Sequence, residues 1–270
     1  TLVGGLAGDA LTDADGNVAV GYASLTDNVL GSNSVAIGRN ALNAQNPATA
    51  TNMYNVAVGN NCGEAITTGT LNTLIGGLAG DAQTTSSGNT ALGYAALTDN
   101  VLGSNSVAIG RNALNGQAPS TATDMYNVAV GNNAGEAITT GTNNVLIGGL
   151  AGDAITTGGS NTAVGRSALG GVTTADNNTG IGNSAGAAIT TGGNNTIVGA
   201  LAGDAITTGD TNSVFGKSAL TTCTTGTNNT ELATTQFVTN AINNATPGTG
   251  YTVYNILITT SANITTQTTG

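Results

Sequence analysis

The sequence contains no histidine and no tryptophan, and only four of its 270 residues carry a positive charge. Without imidazole the chain cannot form a Ser-His-Asp triad, a Cys-His pair or a histidine-ligated metal site. Four cations are too few to neutralise a phosphate backbone, so we expect no nucleic-acid binding. Aromatic residues make up 3% of the chain, too little for an ordinary globular core. No carboxylate pair stands out as a glycosidase site, and we expect neither an enzyme nor a cofactor.

Long apolar runs are also missing. No stretch approaches the 18 or so apolar residues of a transmembrane helix, so we expect no membrane insertion. The chain is nevertheless rich in valine, isoleucine and threonine, and only 7% of its residues are charged. Disordered chains usually combine high charge with few β-branched residues, and this sequence therefore predicts an ordered structure.

Glycine, with 42 copies, marks an internal repeat. One glycine recurs at every seventeenth position, with a four-residue insertion in two places, and we call it the register glycine. Thirteen units result, and positions below are counted from this residue. The register glycines are Gly4, Gly21, Gly38, Gly59, Gly76, Gly93, Gly110, Gly131, Gly148, Gly165, Gly182, Gly199 and Gly216. Thr26 to Asn43 recurs unchanged as Thr98 to Asn115, so the array grew by duplication of four-unit blocks.

Each position of the repeat has its own chemistry. Position −1 is apolar in all thirteen units, position +3 is alanine in eleven, and position +4 is glycine or leucine. Position −4 is asparagine in ten units, among them Asn55, Asn72, Asn127, Asn144 and Asn161. The apolar segments are too short and too β-rich for helices, and a glycine in every unit would interrupt a continuous helix.

The sequence therefore predicts an all-β fold, a parallel β-solenoid (β-roll) of about thirteen 17-residue coils over residues 1–228. Equal positions stack at the strand spacing of about 4.8 Å, which gives a length on the order of 58 Å. The register glycine would supply a positive φ or a close backbone approach. The asparagines would form a ladder of amide hydrogen bonds between coils.

Apolar residues occupy both faces of the predicted strand. Position −2 is mostly Ala, Leu, Ile or Val, as in Ala36 and Leu74, and it alternates with the apolar position −1. Alternate residues of a strand point to opposite sides. One column can fill the coil interior, whereas the other needs a partner, and we expect a homo-oligomer bundled along a common axis.

The repeat pattern stops near Asn229. An apolar stripe at helical spacing in the following segment predicts a short helical connector at residues 229–248, ended by Pro247-Gly248. Residues 249–270 contain a strand-like segment and predict the start of a C-terminal β segment that is truncated.

Two columns carry ten of the 18 charged residues. Position +1 contains Tyr22, Arg39, Tyr94, Arg111, Arg166 and Lys217. We expect this column to form either an exposed ridge that touches glycans or a neighbouring fibre, or a solvated rim that keeps the solenoid soluble. Position +5 is acidic in six units: Asp9, Glu64, Asp81, Glu136, Asp153 and Asp204. Stacked carboxylates could attract Ca²⁺, but we favour a screened surface column and predict no metal site.

The positions of cysteine and threonine lead to two further expectations. Cys62 and Cys223 lie nine coils apart, roughly 43 Å, so the predicted solenoid excludes an intrachain disulfide. Paired threonines recur in eight units. A regular threonine array suggests ice binding, but adjacent residues of a strand point to opposite faces, which leaves one of each pair in an exposed row.

Two resemblances point to a function. Asn33 to Gly38, repeated at Asn105 to Gly110, resembles the head repeat of YadA-like trimeric autotransporter adhesins, which form a trimeric left-handed parallel β-roll. Asn161 to Leu169 resembles related arrays in bacteriophage tail fibres, and Leu232 to Val238 is similar to a short motif that recurs there.

These resemblances imply a homotrimeric tail-fibre segment of a virion that acts as a rigid spacer and host-attachment element. Its partners would be two further copies, other virion tail proteins, and a host cell-surface glycan or protein. The alternatives are the head of an extracellular or cell-surface bacterial adhesin, and an ice-binding solenoid.

Overall fold

The computed structural model describes residues 1–221 and the strand Thr230–Leu232. The described residues are all-β and form the predicted parallel β-solenoid, with about 13 turns that follow the repeat of the sequence. The helical connector and C-terminal β segment predicted for residues 229–248 and 249–270 lie outside the described residues, except for Thr230–Leu232. That strand extends the sheet by one further coil, because Ser213 pairs with Thr230.

One parallel sheet of 14 short strands runs along the solenoid. Each strand pairs with the strand of the next coil, as Val145 does with Thr162, so that equal repeat positions are stacked. Its strands are β1 (Leu2–Val3), β2 (Val18–Val20), β4 (Val35–Ile37), β6 (Val56–Val58), β7 (Thr73–Ile75), β8 (Thr90–Leu92), β10 (Val107–Ile109), β12 (Val128–Val130), β13 (Val145–Ile147), β14 (Thr162–Val164), β15 (Thr179–Ile181), β16 (Thr196–Val198), β17 (Ser213–Phe215) and β18 (Thr230–Leu232).

The two four-residue insertions each add a small ladder. Strand β3 (Gly31–Ser32) pairs with β5 (Thr51–Asn52), and strand β9 (Gly103–Ser104) pairs with β11 (Thr123–Asp124). Both ladders are parallel and two-stranded. The longer coils thus keep their stacking by pairing the extra residues with the coil before.

The interior is narrow and aliphatic. Apart from the terminal Leu2, the residues at position −2, such as Ala36 and Leu146, and the alanines at position +3 are fully or almost fully buried. A coil with glycine at position +4 generally carries isoleucine or leucine at +7, whereas a coil with leucine at +4 carries Asn, Gln, Val or Cys there. A Cβ on Gly135 would meet Leu114 of the preceding coil at 3.0 Å and Ile138 of its own at 3.1 Å. The nearest contact of that Cβ would be Leu146 at position −2 of the following coil, at 2.7 Å, so aliphatic side chains of both adjacent coils and of the same coil fill the space beside this glycine.

The register glycine has both properties expected of it. Its φ angle lies between +118° and +147° in all thirteen units. A Cβ on Gly148 would lie 2.6 Å from the carbonyl carbon and oxygen of Gly165 in the next coil. The prediction is confirmed, because a side chain here would occupy the space that the neighbouring backbone fills.

The asparagine column also stacks between coils. Asn161 accepts a hydrogen bond at Oδ1 from the backbone N–H of Asn178 (2.9 Å), and its Nδ2 donates to the carbonyl of Ala175 (2.9 Å). The same two bonds recur at Asn55, Asn72, Asn127 and Asn144. Direct amide–amide bonds of the predicted kind exist as well, from Asn144 Nδ2 to Asn127 Oδ1 (3.2 Å). The ladder therefore joins side chains mainly to the backbone of the next coil.

Two coils replace this asparagine with serine, and in both a glutamine accepts hydrogen bonds from the serine and from the asparagine of the next coil. Ser34 donates through Oγ to Oε1 of Gln45 (3.2 Å), which also accepts from Nδ2 of Asn55 (2.9 Å). Ser106 and Gln117 repeat the arrangement one block later. The glutamine thus reaches the space that the short serine side chain leaves.

Replacement of two neighbouring glycines by alanine, one at a time, tests the close contact between the register glycine and the backbone of the next coil. Gly148→Ala should destabilise the fold by about 3 kcal/mol or more, because the side chain meets the Gly165 backbone at an unfavourable φ. Gly149→Ala is the matched control, since its Cβ would approach only the Asn132 carbonyl oxygen, at 3.8 Å. Urea unfolding followed by circular dichroism measures both, and equal stability of the two variants would contradict the stacking described.

Removal of one ladder asparagine tests the hydrogen bonds. Asn161→Ala leaves the buried N–H of Asn178 and carbonyl of Ala175 without partners, which should cost about 2–4 kcal/mol. The control is Asn183→Ala, which removes an exposed amide at position +1 and should change the free energy of unfolding by less than about 0.5 kcal/mol. A similar loss in the two variants would show that the ladder bonds contribute little.

Candidate functional site

An apolar stripe runs along the outside of the main sheet. We define it as positions −1 and −3, whose side chains point away from the buried residue at −2; position −1 is apolar throughout, whereas position −3 is valine in six units and threonine or serine in seven. Within it Val3 is 56% exposed, Leu92 44% and Phe215 38%. The position −1 residues are Val3, Val20, Ile37, Val58, Ile75, Leu92, Ile109, Val130, Ile147, Val164, Ile181, Val198 and Phe215.

The structure thus decides which apolar column faces the interior. Position −1 never carries a polar residue, yet it is the outer column, while the alanine-rich position −2 fills the core. The stripe is on the order of 58 Å by 10 Å, or about 600 Å². The largest apolar patch on a monomeric protein is about 300–600 Å² and is often functional, and the stripe, which includes threonine and serine, is no larger than this.

All six residues predicted at position +1 lie in one exposed column. Tyr22 and Tyr94 are each 57% exposed, and Arg39, Arg111, Arg166 and Lys217 are exposed as well. The column brings Tyr22 beside Arg39, and Tyr94 beside Arg111, in consecutive coils. The binding role of this column remains a prediction.

Both tyrosine–arginine pairs have the same surroundings. Arg39 donates from Nε to Oδ1 of Asn60 (2.9 Å) and from a terminal nitrogen to Oδ1 of Asn61 (3.3 Å). Arg111 does the same to Asn132 (2.9 Å) and Asn133 (3.4 Å). The sequence analysis missed these asparagines, although an Asn-Asn pair directly follows the register glycine in the coil after each of these arginines.

The acidic column is held by amides where it comes closest to the arginines. Asn40 donates to Oε1 of Glu64 (3.2 Å), and Asn112 and Asn133 both donate to Glu136. Within the described part of the chain, no three His, Cys, Asp or Glu side chains are arranged to hold a metal ion.

Burial and neighbouring negative charges raise the pKa of two acids in this column. Burial raises the pKa of Asp81 above its ordinary 3.8, and the charges of Asp99 and Glu64 raise it further, against backbone hydrogen bonds that lower it. Burial raises the pKa of Asp153 as well, together with the charge of Glu136. Each acid therefore destabilises the folded state when it is ionised.

Cysteine and threonine serve the stacking of coils. Cys62 is a free, buried thiol in the alanine column, and burial raises its pKa to about 12; Cys223 lies outside the described residues. The first threonine of a pair donates its hydroxyl to a carbonyl of the next coil, as from Thr139 to Thr156 (3.2 Å). The second threonine is exposed, as at Thr157, so an ice-binding row remains a hypothesis.

Comparison with protein-family models, with curated proteins and with solved structures found no match to this chain. Among the residues that the structure describes, no helix is long and apolar enough to cross a membrane. The two outer surfaces, the apolar stripe and the position +1 column, are therefore the candidate interaction sites of this chain.

Replacement of Asp81 and Asp153, the two acids whose pKa is raised, tests the electrostatics of the acidic column. A carboxyl whose pKa is raised in the folded state stabilises the fold when protonated, and this contribution is lost as the pH rises through its folded pKa. Asp81→Asn and Asp153→Asn should each therefore stabilise the protein at pH 7, by up to about 1 kcal/mol given their partial exposure. The gain should vanish below about pH 3.8, the ordinary pKa.

Urea unfolding at pH 7 and pH 3 measures this effect. Asp13→Asn, which changes an exposed turn residue, is the control. A loss of stability at pH 7 in the two acidic-column variants would mean that the carboxylates bind something that stabilises them.

Proposed function

We propose that the chain is a segment of a homotrimeric fibre, specifically a bacteriophage tail fibre, that serves as a rigid spacer and attaches the particle to a host surface. The observation that carries the proposal is the apolar stripe. Thirteen coils place an apolar side chain at the same outer position, and nothing in the described residues covers it. Copies packed stripe against stripe would remove this surface from water, which is favourable by roughly 25 cal/mol per Å².

Parallel packing of identical copies suits a surface that repeats at every coil. A rotation axis parallel to the solenoid brings equal coils of each copy to the same height, so the stripes meet along their whole length. A standard interface buries about 800 Å² on each partner, somewhat more than the stripe alone provides. Three copies would let each chain form two contacts, and the resemblance to trimeric β-rolls supports this number.

The stacking provides the stiffness that a spacer needs. Every coil is bonded to the next through the sheet, and most coils add bonds from the asparagine ladder or from threonine hydroxyls. Three copies in a fibre would multiply weak surface contacts through avidity. The similarity of Leu232 to Val238 to a tail-fibre motif favours a virion over the head of a bacterial adhesin, and neighbouring tail genes in the source genome would support this choice.

The mass of the full chain in solution tests the proposal. Light scattering coupled to size exclusion should give three times the 26.0 kDa of one chain. Ile147→Lys places a charge in the middle of the stripe and should shift the mass toward the monomer, because a buried charge without a partner is unfavourable. Thr157→Lys is the matched control, since it adds the same charge to an exposed position of the same coil.

A stable monomer would overturn the fibre proposal. A trimer that Ile147→Lys and Thr157→Lys leave equally intact would show that another surface forms the contact. In the monomeric case the exposed threonine row becomes the next candidate surface, and a thermal-hysteresis measurement would test it.

A further inference from the structure

We propose that the two tyrosine–arginine pairs form a pair of binding sites for neutral pyranose sugars. We call them notches: the first is lined by Tyr22, Arg39, Asn60 and Asn61, the second by Tyr94, Arg111, Asn132 and Asn133. The inference deepens the proposed attachment function, on which its biological meaning rests, by assigning residues and a ligand class to it.

Each notch opens because its two main side chains lean apart. The ring of Tyr22 lies toward the preceding coil, with Cδ2 3.6 Å from where a Cβ on Gly5 would be. Arg39 reaches toward the following coil, to Asn60. A gap therefore remains between an aromatic ring and a guanidinium group that start from adjacent coils, about 4.8 Å apart. Tyr94 above Gly77 repeats the geometry.

The tyrosine is placed for contact with a ligand. All four described tyrosines are more than half exposed, so none of them builds the core. The absence of a side chain at Gly5 leaves the Tyr22 ring resting near the backbone with much of its surface open. An exposed ring with an apolar body and a polar hydroxyl suits a pyranose, which presents C–H groups on one face and hydroxyls at its edge.

The arginine is fixed in place but keeps free donors. Its two bonds to asparagine use two of the five guanidinium N–H groups, and three remain. Among residues 1–221, neither Arg39 nor Arg111 forms an ion pair, although the chain carries 14 acidic side chains. A guanidinium held by neutral oxygens can donate to hydroxyls without first breaking a salt bridge.

The charges nearby favour a neutral sugar. Asn133 lies between a positively and a negatively charged side chain, since it accepts a hydrogen bond from Arg111 and donates one to Glu136. A carboxylated sugar would meet Glu136 and a chain of net charge −10, whereas sugar hydroxyls can pair with both groups. The two notches are four coils apart, about 19 Å, so one extended glycan or a dense glycan surface could occupy both.

Titration of the full chain with defined sugars tests the proposal. The probes are maltose, lactose, chitobiose and mannobiose, with sialyllactose and digalacturonate as carboxylated counterparts, and binding is measured by calorimetry and by saturation-transfer NMR. At least one neutral probe should bind saturably. The double variant Tyr22→Ala/Tyr94→Ala should weaken that binding about tenfold through loss of ring contact, and Arg39→Gln/Arg111→Gln should also weaken it.

Tyr54→Ala/Tyr126→Ala is the matched control, because these tyrosines are equally exposed (52% and 54%) but lie in another column, at position −5. The control should bind as the wild type does. The proposal is overturned if no neutral probe binds, if only the carboxylated probes bind, or if the control loses as much affinity as the Tyr22/Tyr94 variant.

Particle mass separates this proposal from the fibre. If the chain is a trimer that binds no sugar, the notch proposal is overturned and the fibre proposal stands. If it is a monomer that binds sugar, the fibre proposal is overturned and the notch proposal stands. If the Tyr22/Tyr94 variant becomes monomeric, the tyrosines belong to the contact between copies, and the notch assignment is wrong.

Discussion

The structure depends on hydrogen bonds between coils. A single coil is too small to satisfy its own buried backbone groups, so its N–H and C=O groups must find partners in the coils on either side. The sheet provides these partners on one side of the coil, and the asparagines at position −4, such as Asn161, provide them just before the strand. The contact is so close that the register glycine leaves no room for a Cβ. Equal residues at equal positions follow from this requirement.

A thin interior has consequences for the exterior. The space inside each coil accepts alanines and one or two large aliphatic side chains, supplied by positions −2, +4 or +7. Little apolar surface is therefore buried per residue, and the larger side chains of position −1 remain outside. The stripe is the natural place for further burial, which links the narrow coil to association of copies. Outside the stripe, exposed tyrosines and the two arginines held by asparagine are the residues on which the proposed attachment surface depends.

The repeat pattern was sufficient to predict the solenoid. A constant period leaves few ways to stack thirteen units, and the chemistry of each column indicated the tight glycine turn and the asparagine ladder. The same reasoning found both apolar columns but could not assign their sides, since the alternation of a three-residue strand is symmetrical. It also gave no reason for the choice between glycine and leucine at position +4, because the side chains that fill the space beside Gly135 include Leu114 of the preceding coil and Leu146 of the following one.

The sequence by itself determined the period, the parallel stacking and the lack of any imidazole group, because these depend on composition and spacing alone. Only the tertiary structure decided that position −1 faces outward, that Asn60 and Asn61 hold Arg39, and that Tyr22 rests near Gly5. Those facts join residues that lie one coil or more apart in the chain, and their meeting depends on which way each side chain leans along the axis. That direction is set by packing against the neighbouring coils.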